Sequence, residues 1–160
     1  MILKILSSSV LASIAAIGFS TISHSPKQSY GCCALIAAIG YTLRYVLMNN
    51  PFCQFHIILA SGIASFCIGT LAVFIAPHIK CPAEVCSSPA LLPMIPGIYL
   101  YRTIKALFLC LYHQEETIYL HYFYLFSYNG FTSISIITAM VMGITIPIFI
   151  FKKISFQATR

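Results

Sequence analysis

Long apolar stretches alternate with short polar breaks along this sequence. Almost no charged side chain interrupts the five stretches, which run over residues 2–22, 31–48, 56–76, 90–112 and 131–151. A helix needs about 20 residues to cross ~30 Å of hydrocarbon, because each residue adds about 1.5 Å of rise. We therefore predict an all-α integral membrane protein, a bundle of about five transmembrane helices that forms a single transmembrane domain over residues 1–160.

Helix-breaking and polar residues separate the stretches, as at Ser25-Pro26-Lys27, Asn49-Asn50-Pro51 and Pro77-His78. The first stretch also has features of a secretory signal, with Lys4 ahead of an apolar core. Cleavage after it would leave four spans. We favour an uncleaved span, because the apolar part is long for a signal and a second span follows after a short loop.

An aromatic segment, IYLHYFYLFSY over residues 118–128, precedes the fifth stretch. Tyrosine concentrates at headgroup depth, because its ring is apolar and its hydroxyl group forms hydrogen bonds with water. We predict an interfacial helix or the beginning of the fifth span here, followed by a break at Asn129-Gly130. Stacking of nucleic-acid bases on these rings would require a basic groove beside them, and the segment has none.

The composition supports a membrane location. Charged residues make up 8% of the chain and hydrophobic residues 59%, whereas a soluble domain carries roughly 25% charged residues. The net charge of +6 comes from basic residues scattered at the ends of apolar stretches. That arrangement is typical of membrane anchors and orientation signals, and it lacks the clustered basic face of a nucleic-acid-binding protein.

The candidate ligands for metal or redox chemistry are few. Seven cysteines lie mostly inside apolar runs, where cysteine packs as a small hydrophobic side chain. Cys81 and Cys86 could form a disulfide if their loop faced an oxidising space, but their spacing is not a zinc pattern. The spacing of His113, Glu116 and His121 does not place them on one helix face. We predict no metal, no cofactor and no catalytic set.

The segment from Pro89 to Lys105 carries the most information. Pro93 and Pro96 each lack a backbone N–H and disfavour helix at the preceding residue, so Leu92 and Ile95 are predicted to be extended. Gly97 permits close approach of another group to the backbone. We predict a discontinuous span, with an irregular proline-rich entry and a helix that begins near Pro96.

Broken backbone at membrane depth occurs where it is buried in protein or lines a water-filled cavity. A helix that begins there directs amide N–H groups and a positive dipole end at the cavity, which favours an anion. Arg102 and Lys105 follow at i and i+3, so they share a face. Two interpretations remain open from the residues alone: an anion site in a transporter, or a structural kink whose cations reach the headgroups.

The segment Leu92-Pro-Met-Ile-Pro-Gly-Ile-Tyr-Leu-Tyr-Arg102 resembles the P-x-x-P-G signature of the threonine/serine exporter (ThrE-like) family. Two further runs fit the same plan over nearly the whole chain, from Gly31 to Tyr41 with Arg44 after it, and from Gly143 to Pro147. The resemblance identifies the chain as a small membrane subunit of the split type. It implies no enzyme activity, and a binding site formed by Pro93, Pro96, Gly97, Tyr99 and Arg102.

The resemblance further implies a half-transporter that works with a larger homologous membrane subunit in the cell inner membrane. Its implied substrate carries a carboxylate: threonine, serine, or a dicarboxylate such as succinate. A homo-oligomer is an alternative to the larger partner, and a structural or assembly subunit without its own substrate site is the alternative function.

The basic residues also predict an orientation in the membrane. With five spans the two termini lie on opposite sides. The basic residues of the C-terminal side outnumber Lys4 and Arg44 on the other side, and they are Lys27, Lys80, Lys152, Lys153 and Arg160. The positive-inside rule then places the C-terminus in the cytoplasm and the N-terminus outside.

Overall fold

The computed structural model of the chain describes residues 2–49, 55–79, 81–113 and 115–151. Its α-helices are α1 (Ile2–Ile22), α2 (Tyr30–Asn49), α3 (Ile57–Ile79), α4 (Ala83–Leu91), α5 (Gly97–Tyr112) and α6 (Glu116–Ile150). Two short 3-10 turns, Lys27–Ser29 and Leu92–Met94, precede α2 and follow α4. No strand occurs in these ranges, so the predicted all-α fold class is confirmed.

Four helical segments are long and apolar enough to cross a membrane, Ile5–Ile22, Lys27–Asn49, Ile57–Ile79 and Glu116–Ile150. The pair Ala83–Met94 and Gly97–Tyr112 makes a fifth if its two halves count as one broken span. Within the described ranges this gives four or five spans. Packing divides the chain into two units, a first formed by Met1–Met94 with Ala139–Arg160, and a second formed by Ile95–Thr138.

Small side chains make up much of the core of the first unit. Helix α2 packs against α1, α3 and α4, and α4 also contacts α1 and α3. The rows of small residues that the sequence contains at helical spacing are largely buried here, as at Ala12, Ala16 and Ser20 in α1 and at Ser61 and Ser65 in α3. Small residues allow helix backbones to approach closely, which drives helix association where lipid removes the hydrophobic effect.

A close approach of two backbones in the first unit joins α3 to the end of α6. A Cβ atom built on Gly143 would lie 2.5 Å from the carbonyl oxygen of Gly62, and one built on Gly69 would lie 2.8 Å from that of Ile144. Real Cβ atoms essentially never come within 3.0 Å of another heavy atom. Glycine is therefore the residue that this helix pair requires at both positions.

The second unit is an antiparallel helix pair formed by α5 and the first two thirds of α6. The rings of His113 and Tyr122 lie 5.5 Å apart near the connection. Further along the pair, a Cβ atom on Gly130 would lie 3.5 Å from Cγ2 of Thr103. These two contacts fix which residues of α5 and α6 face each other.

The predicted break at Asn129-Gly130 is wrong, because α6 is one helix of 35 residues from Glu116 to Ile150. The side chain of Asn129 is 5% exposed, and its Nδ2 donates to the carbonyl oxygen of Leu125 at 2.7 Å. Gly130 faces Thr103 at an ordinary contact distance. Burial against α5 thus stabilises the helix where local propensity favours a turn.

The predicted irregular entry to the fourth span is also wrong in part. Pro89 lies inside α4, and Leu92 is helical at φ −55° and ψ −40°. A proline in a helix deprives the carbonyl four residues earlier of its donor, here that of Val85. The buried thiol of Cys33 donates to this carbonyl oxygen at 3.7 Å, which gives it a partner in place of the missing N–H.

The cysteines of the proline-rich region are free thiols. Cys81 and Cys86 are both buried and neither forms a disulfide, so the packing interpretation describes them in this structure. The orientation prediction rests on charges that lie mostly outside the described residues, namely Lys80, Lys152, Lys153 and Arg160. The orientation therefore stays a prediction.

Candidate functional site

The break between α4 and α5 is confined to Ile95 and Pro96. Pro96 has φ −77° and ψ 63°, the values of an inverse γ-turn. The N–H of Gly97 donates to the carbonyl oxygen of Ile95 across this turn at 2.8 Å. Proline supplies the φ angle that this turn requires. Only two residues therefore separate the end of the 3-10 turn at Met94 from the start of α5 at Gly97.

Most amides at the start of α5 already have acceptors. The N–H groups of Tyr99 and Leu100 both donate to the carbonyl oxygen of Pro96, at 3.1 and 3.2 Å. Since Gly97 donates within the γ-turn, only Ile98 of the first four amides has no backbone acceptor among the described residues. The helix start therefore offers an anion one free N–H and the dipole, less than a helix start with all its amides free would offer.

Gly97 lies next to open space. A Cβ atom built on it would have no protein atom within 4 Å, and the residue is exposed. No glycine among the described residues has a positive φ, so the φ angle at position 97 does not require glycine. The absence of a side chain at this position leaves room at the start of α5.

Arg44 of α2 stabilises the end of the preceding helical segment. Its Nη1 donates to the carbonyl oxygen of Met94 at 2.6 Å, and Met94 is 1% exposed. The carbonyl oxygens at the end of a helix have no N–H donor within the helix and carry its negative dipole end. A half-buried guanidinium is therefore well suited to hold Met94 in place immediately before the γ-turn.

Arg102 lines a groove between α5 and α6 inside the second unit. The groove has a volume of about 430 Å³, and its polar lining residues are Arg102, Lys105, Tyr122, Tyr128 and Asn129. Tyr99 is half-buried three residues before Arg102, and its carbonyl oxygen accepts a hydrogen bond from Thr103 Oγ1 at 2.8 Å. The side chains of Tyr99 and Arg102, at i and i+3, lie on the same side of α5.

The predicted site residues do not form one cluster. Gly97 and Arg102 are five residues apart, which turns them about 140° around the axis of α5 and separates them by about 7.5 Å along it. Pro96 is buried at the γ-turn. Pro93 belongs to the first unit, where it lines a smaller groove of about 270 Å³ with residues of α1 and with Tyr41.

Sequence reasoning missed two features of this region. Arg44 lies 50 residues before Met94, so no local pattern links the two. The groove residues Tyr122, Tyr128 and Asn129 belong to the segment interpreted as interfacial, and the spacing of that segment alone does not show that it pairs with α5. A basic residue inside an apolar stretch was the available signal for Arg44, since such residues are usually functional or paired.

Comparison with known proteins gives a family match over most of the chain. A family model described as "Threonine/Serine exporter, ThrE" matches residues 8–150. An uncharacterized protein of Haemophilus influenzae is 31% identical over 104 residues. These residues are 64% of this chain and 33% of that relative, so the chain spans about a third of the relative's length. No solved structure matches the chain.

Proposed function

Because the chain belongs to the threonine/serine exporter (ThrE) family, we propose that it is the small membrane subunit of an exporter for a carboxylate-bearing small molecule. The family is one of transporters and not of enzymes. Threonine, serine or a dicarboxylate such as succinate is the proposed substrate. The proposed location is the cell inner membrane, with the C-terminus in the cytoplasm.

The observation that carries this proposal is the broken helix. The γ-turn at Pro96 interrupts the helical backbone, and Arg44 holds the carbonyl of Met94 on one side of it. Interrupted helices at membrane depth are tolerated where they are enclosed by protein or line a cavity. In secondary transporters they build substrate sites near the middle of the bilayer, and helix starts there point at anionic groups.

We place the substrate site at the start of α5, with Pro93, Pro96 and Gly97 shaping the backbone and with Tyr99 and Arg102 alongside. The free N–H of Ile98 and the open space at Gly97 support this choice. Arg102 follows five residues later on a different side of α5, and its Cα–Cβ bond is tilted towards the N-terminal end of the helix, as in every α-helix. Its planar guanidinium suits a carboxylate.

A chain of four or five spans with one broken helix is half of the arrangement in which transporter sites form between two repeats. We therefore propose a larger homologous membrane subunit as the partner, and a homo-oligomer as the alternative assembly. With either partner the second half of the substrate site would come from outside this chain.

The test of the site compares Gly97→Val with Gly97→Ala, both coexpressed with the larger subunit. Neither side chain meets a protein atom at Cβ, so both variants should reach normal abundance in the membrane. We expect Gly97→Val to lose export, because its branched side chain fills the space at the helix start, and Gly97→Ala to keep most of it. Arg102→Ala should weaken export.

Normal export by both Gly97→Val and Arg102→Ala, at wild-type abundance, would show that the break is a structural kink. The chain would then be better described as a structural or assembly subunit, or its substrate site would lie elsewhere.

A further inference from the structure

The groove between α5 and α6 concentrates positive charge without a counter-charge. No carboxylate is among its lining residues. Neither Arg102 nor Lys105 forms a hydrogen bond or an ion pair within the part of the chain that the structure describes. Both side chains are exposed, and two like charges at i and i+3 on a helix repel each other. An anion in the groove would remove this cost.

Asn129 adds a hydrogen-bond acceptor at the wall of the groove. Its Nδ2 donates to the carbonyl oxygen of Leu125 at 2.7 Å, and this bond fixes the orientation of the amide. Its Oδ1 accepts no hydrogen bond from the described residues. In that part of the chain no fully buried side-chain oxygen or nitrogen atom lacks a partner, so Oδ1 is not fully buried. Oδ1 is therefore accessible from the groove, although the residue as a whole is 5% exposed.

Cations and an acceptor together specify a ligand with two kinds of group. We propose that this groove binds the carboxylate of the exported substrate, with Arg102 and Lys105 as its cations and Asn129 Oδ1 accepting a hydrogen bond from a neighbouring hydroxyl or ammonium group. This inference rests on the proposed function and extends its site from the helix start along α5. It adds Lys105 and Asn129 to the substrate-binding residues.

The phenol groups complete the groove. Tyr128 and Tyr122 line it from α6, and each hydroxyl can donate to a carboxylate or accept from a donor. Tyr124 offers a matched control one turn away. Its ring stacks on that of Tyr128 with the centroids 6.1 Å apart, it is 64% exposed, and it does not line the groove.

A lipid phosphate is the other anion that two membrane-embedded cations attract. The phosphodiester group itself has only acceptor oxygens, so a lipid would supply a donor to Asn129 Oδ1 only from the rest of its headgroup. A small hydroxy acid or amino acid satisfies both the cations and this acceptor. The acceptor therefore favours an anion with a donor of its own, such as threonine or serine, over succinate, and the experiment separates substrate from headgroup.

The experiment measures flux of L-threonine and of succinate into liposomes that contain the chain with its larger partner. Lys105→Gln keeps a polar, slightly shorter side chain but removes its charge. We expect it to raise KM about ten-fold or more with Vmax within about two-fold, since a charge-assisted hydrogen bond is lost from binding. Lys105→Arg should restore the wild-type KM. Tyr128→Phe should raise KM, and Tyr124→Phe should leave it unchanged.

A second readout, the midpoint of thermal unfolding of the purified complex in detergent, does not depend on transport. Threonine should raise the midpoint of the wild type and of Tyr124→Phe more than succinate does, because only threonine has a donor for Asn129 Oδ1, and neither should raise that of Lys105→Gln. Phosphatidylglycerol, compared with phosphatidylcholine, tests the lipid alternative in the same assay.

An unchanged KM in Lys105→Gln would overturn the groove proposal while leaving the exporter function intact. The groove proposal also fails if phosphatidylglycerol raises the unfolding midpoint of the wild type but not of Lys105→Gln, while neither threonine nor succinate raises the midpoint of the wild type. Absence of flux for every probe in the wild-type complex would instead count against the proposed function, and the thermal shift by the carboxylates would then decide the groove alone.

Discussion

The contact between α3 and α6 provides a direct test of the packing of the first unit. In Gly143→Ala the new Cβ atom would lie 2.5 Å from the carbonyl oxygen of Gly62, 3.0 Å from Ser65 Cβ and 3.1 Å from the backbone nitrogen of Phe66. The first and last of these are backbone atoms, which cannot rotate away as a side chain can. The two helices must separate by about 0.5 Å, the difference between 3.0 and 2.5 Å, to reach the shortest tolerated distance.

Overpacking of this kind typically costs ~1–3 kcal/mol, and lipid gives no hydrophobic compensation for the lost van der Waals contacts. Gly97→Ala is the matched control, because its Cβ atom meets nothing within 4 Å and the loss of a helical glycine stabilises by up to ~1 kcal/mol. The chain has no tryptophan, so thermal unfolding in detergent is best followed by circular dichroism at the helix bands.

We expect a lower unfolding midpoint for Gly143→Ala and an unchanged or higher one for Gly97→Ala. Equal midpoints for Gly143→Ala and the wild type would mean that α3 and α6 do not approach as closely as described. A decrease in both variants would mean that position 97 is packed and not open, which would also remove the basis for the substrate-site test.

Three further predictions follow from the break and from the charges. Arg44→Ala should destabilise the protein by about 1.5–3 kcal/mol, the usual value of a hydrogen bond to a charged group. Arg44→Lys should recover only part of this loss, because it keeps the charge without the planar fork. Chemical denaturation in detergent measures the stability of both variants. A reporter enzyme fused after the C-terminus should be active only if it works in the cytoplasm, and activity of a reporter restricted to the outside would reverse the orientation. Cys33→Ala should lower the unfolding midpoint more than Cys67→Ala does. The reason is that the Cys33 thiol donates to the Val85 carbonyl oxygen, which Pro89 leaves without its usual N–H donor. An equal decrease in the two variants would refute this role of Cys33.

The sequence predicts helices and breaks where local rules decide them. Apolar length locates the spans, and the prolines locate the interruption before Gly97, because a missing N–H and a fixed φ act within a few residues. Those same rules fail where a tertiary contact opposes them. Leu92 is helical although it precedes Pro93, and α6 passes through Asn129-Gly130 because that pair is packed against α5.

The candidate site shows the same division. Its backbone part was predictable, since Pro96 and Gly97 are adjacent in the sequence and their conformations are restricted locally. Its side-chain part required the pairing of α5 with α6, which brings Lys105 and Asn129 to one groove, and the contact between Arg44 and Met94 across 50 residues. No spacing rule within one segment encodes contacts between segments so far apart in the chain.

Reconstitution tests the central claim most directly. The chain and the larger partner proposed for it, purified separately, would be placed in liposomes alone and together, and flux of threonine, serine and succinate would be measured under the same gradient. We expect flux of at least one of these carboxylates with both subunits, and none with either subunit alone. Equal flux from the larger subunit with and without this chain would contradict its role as a transporting half.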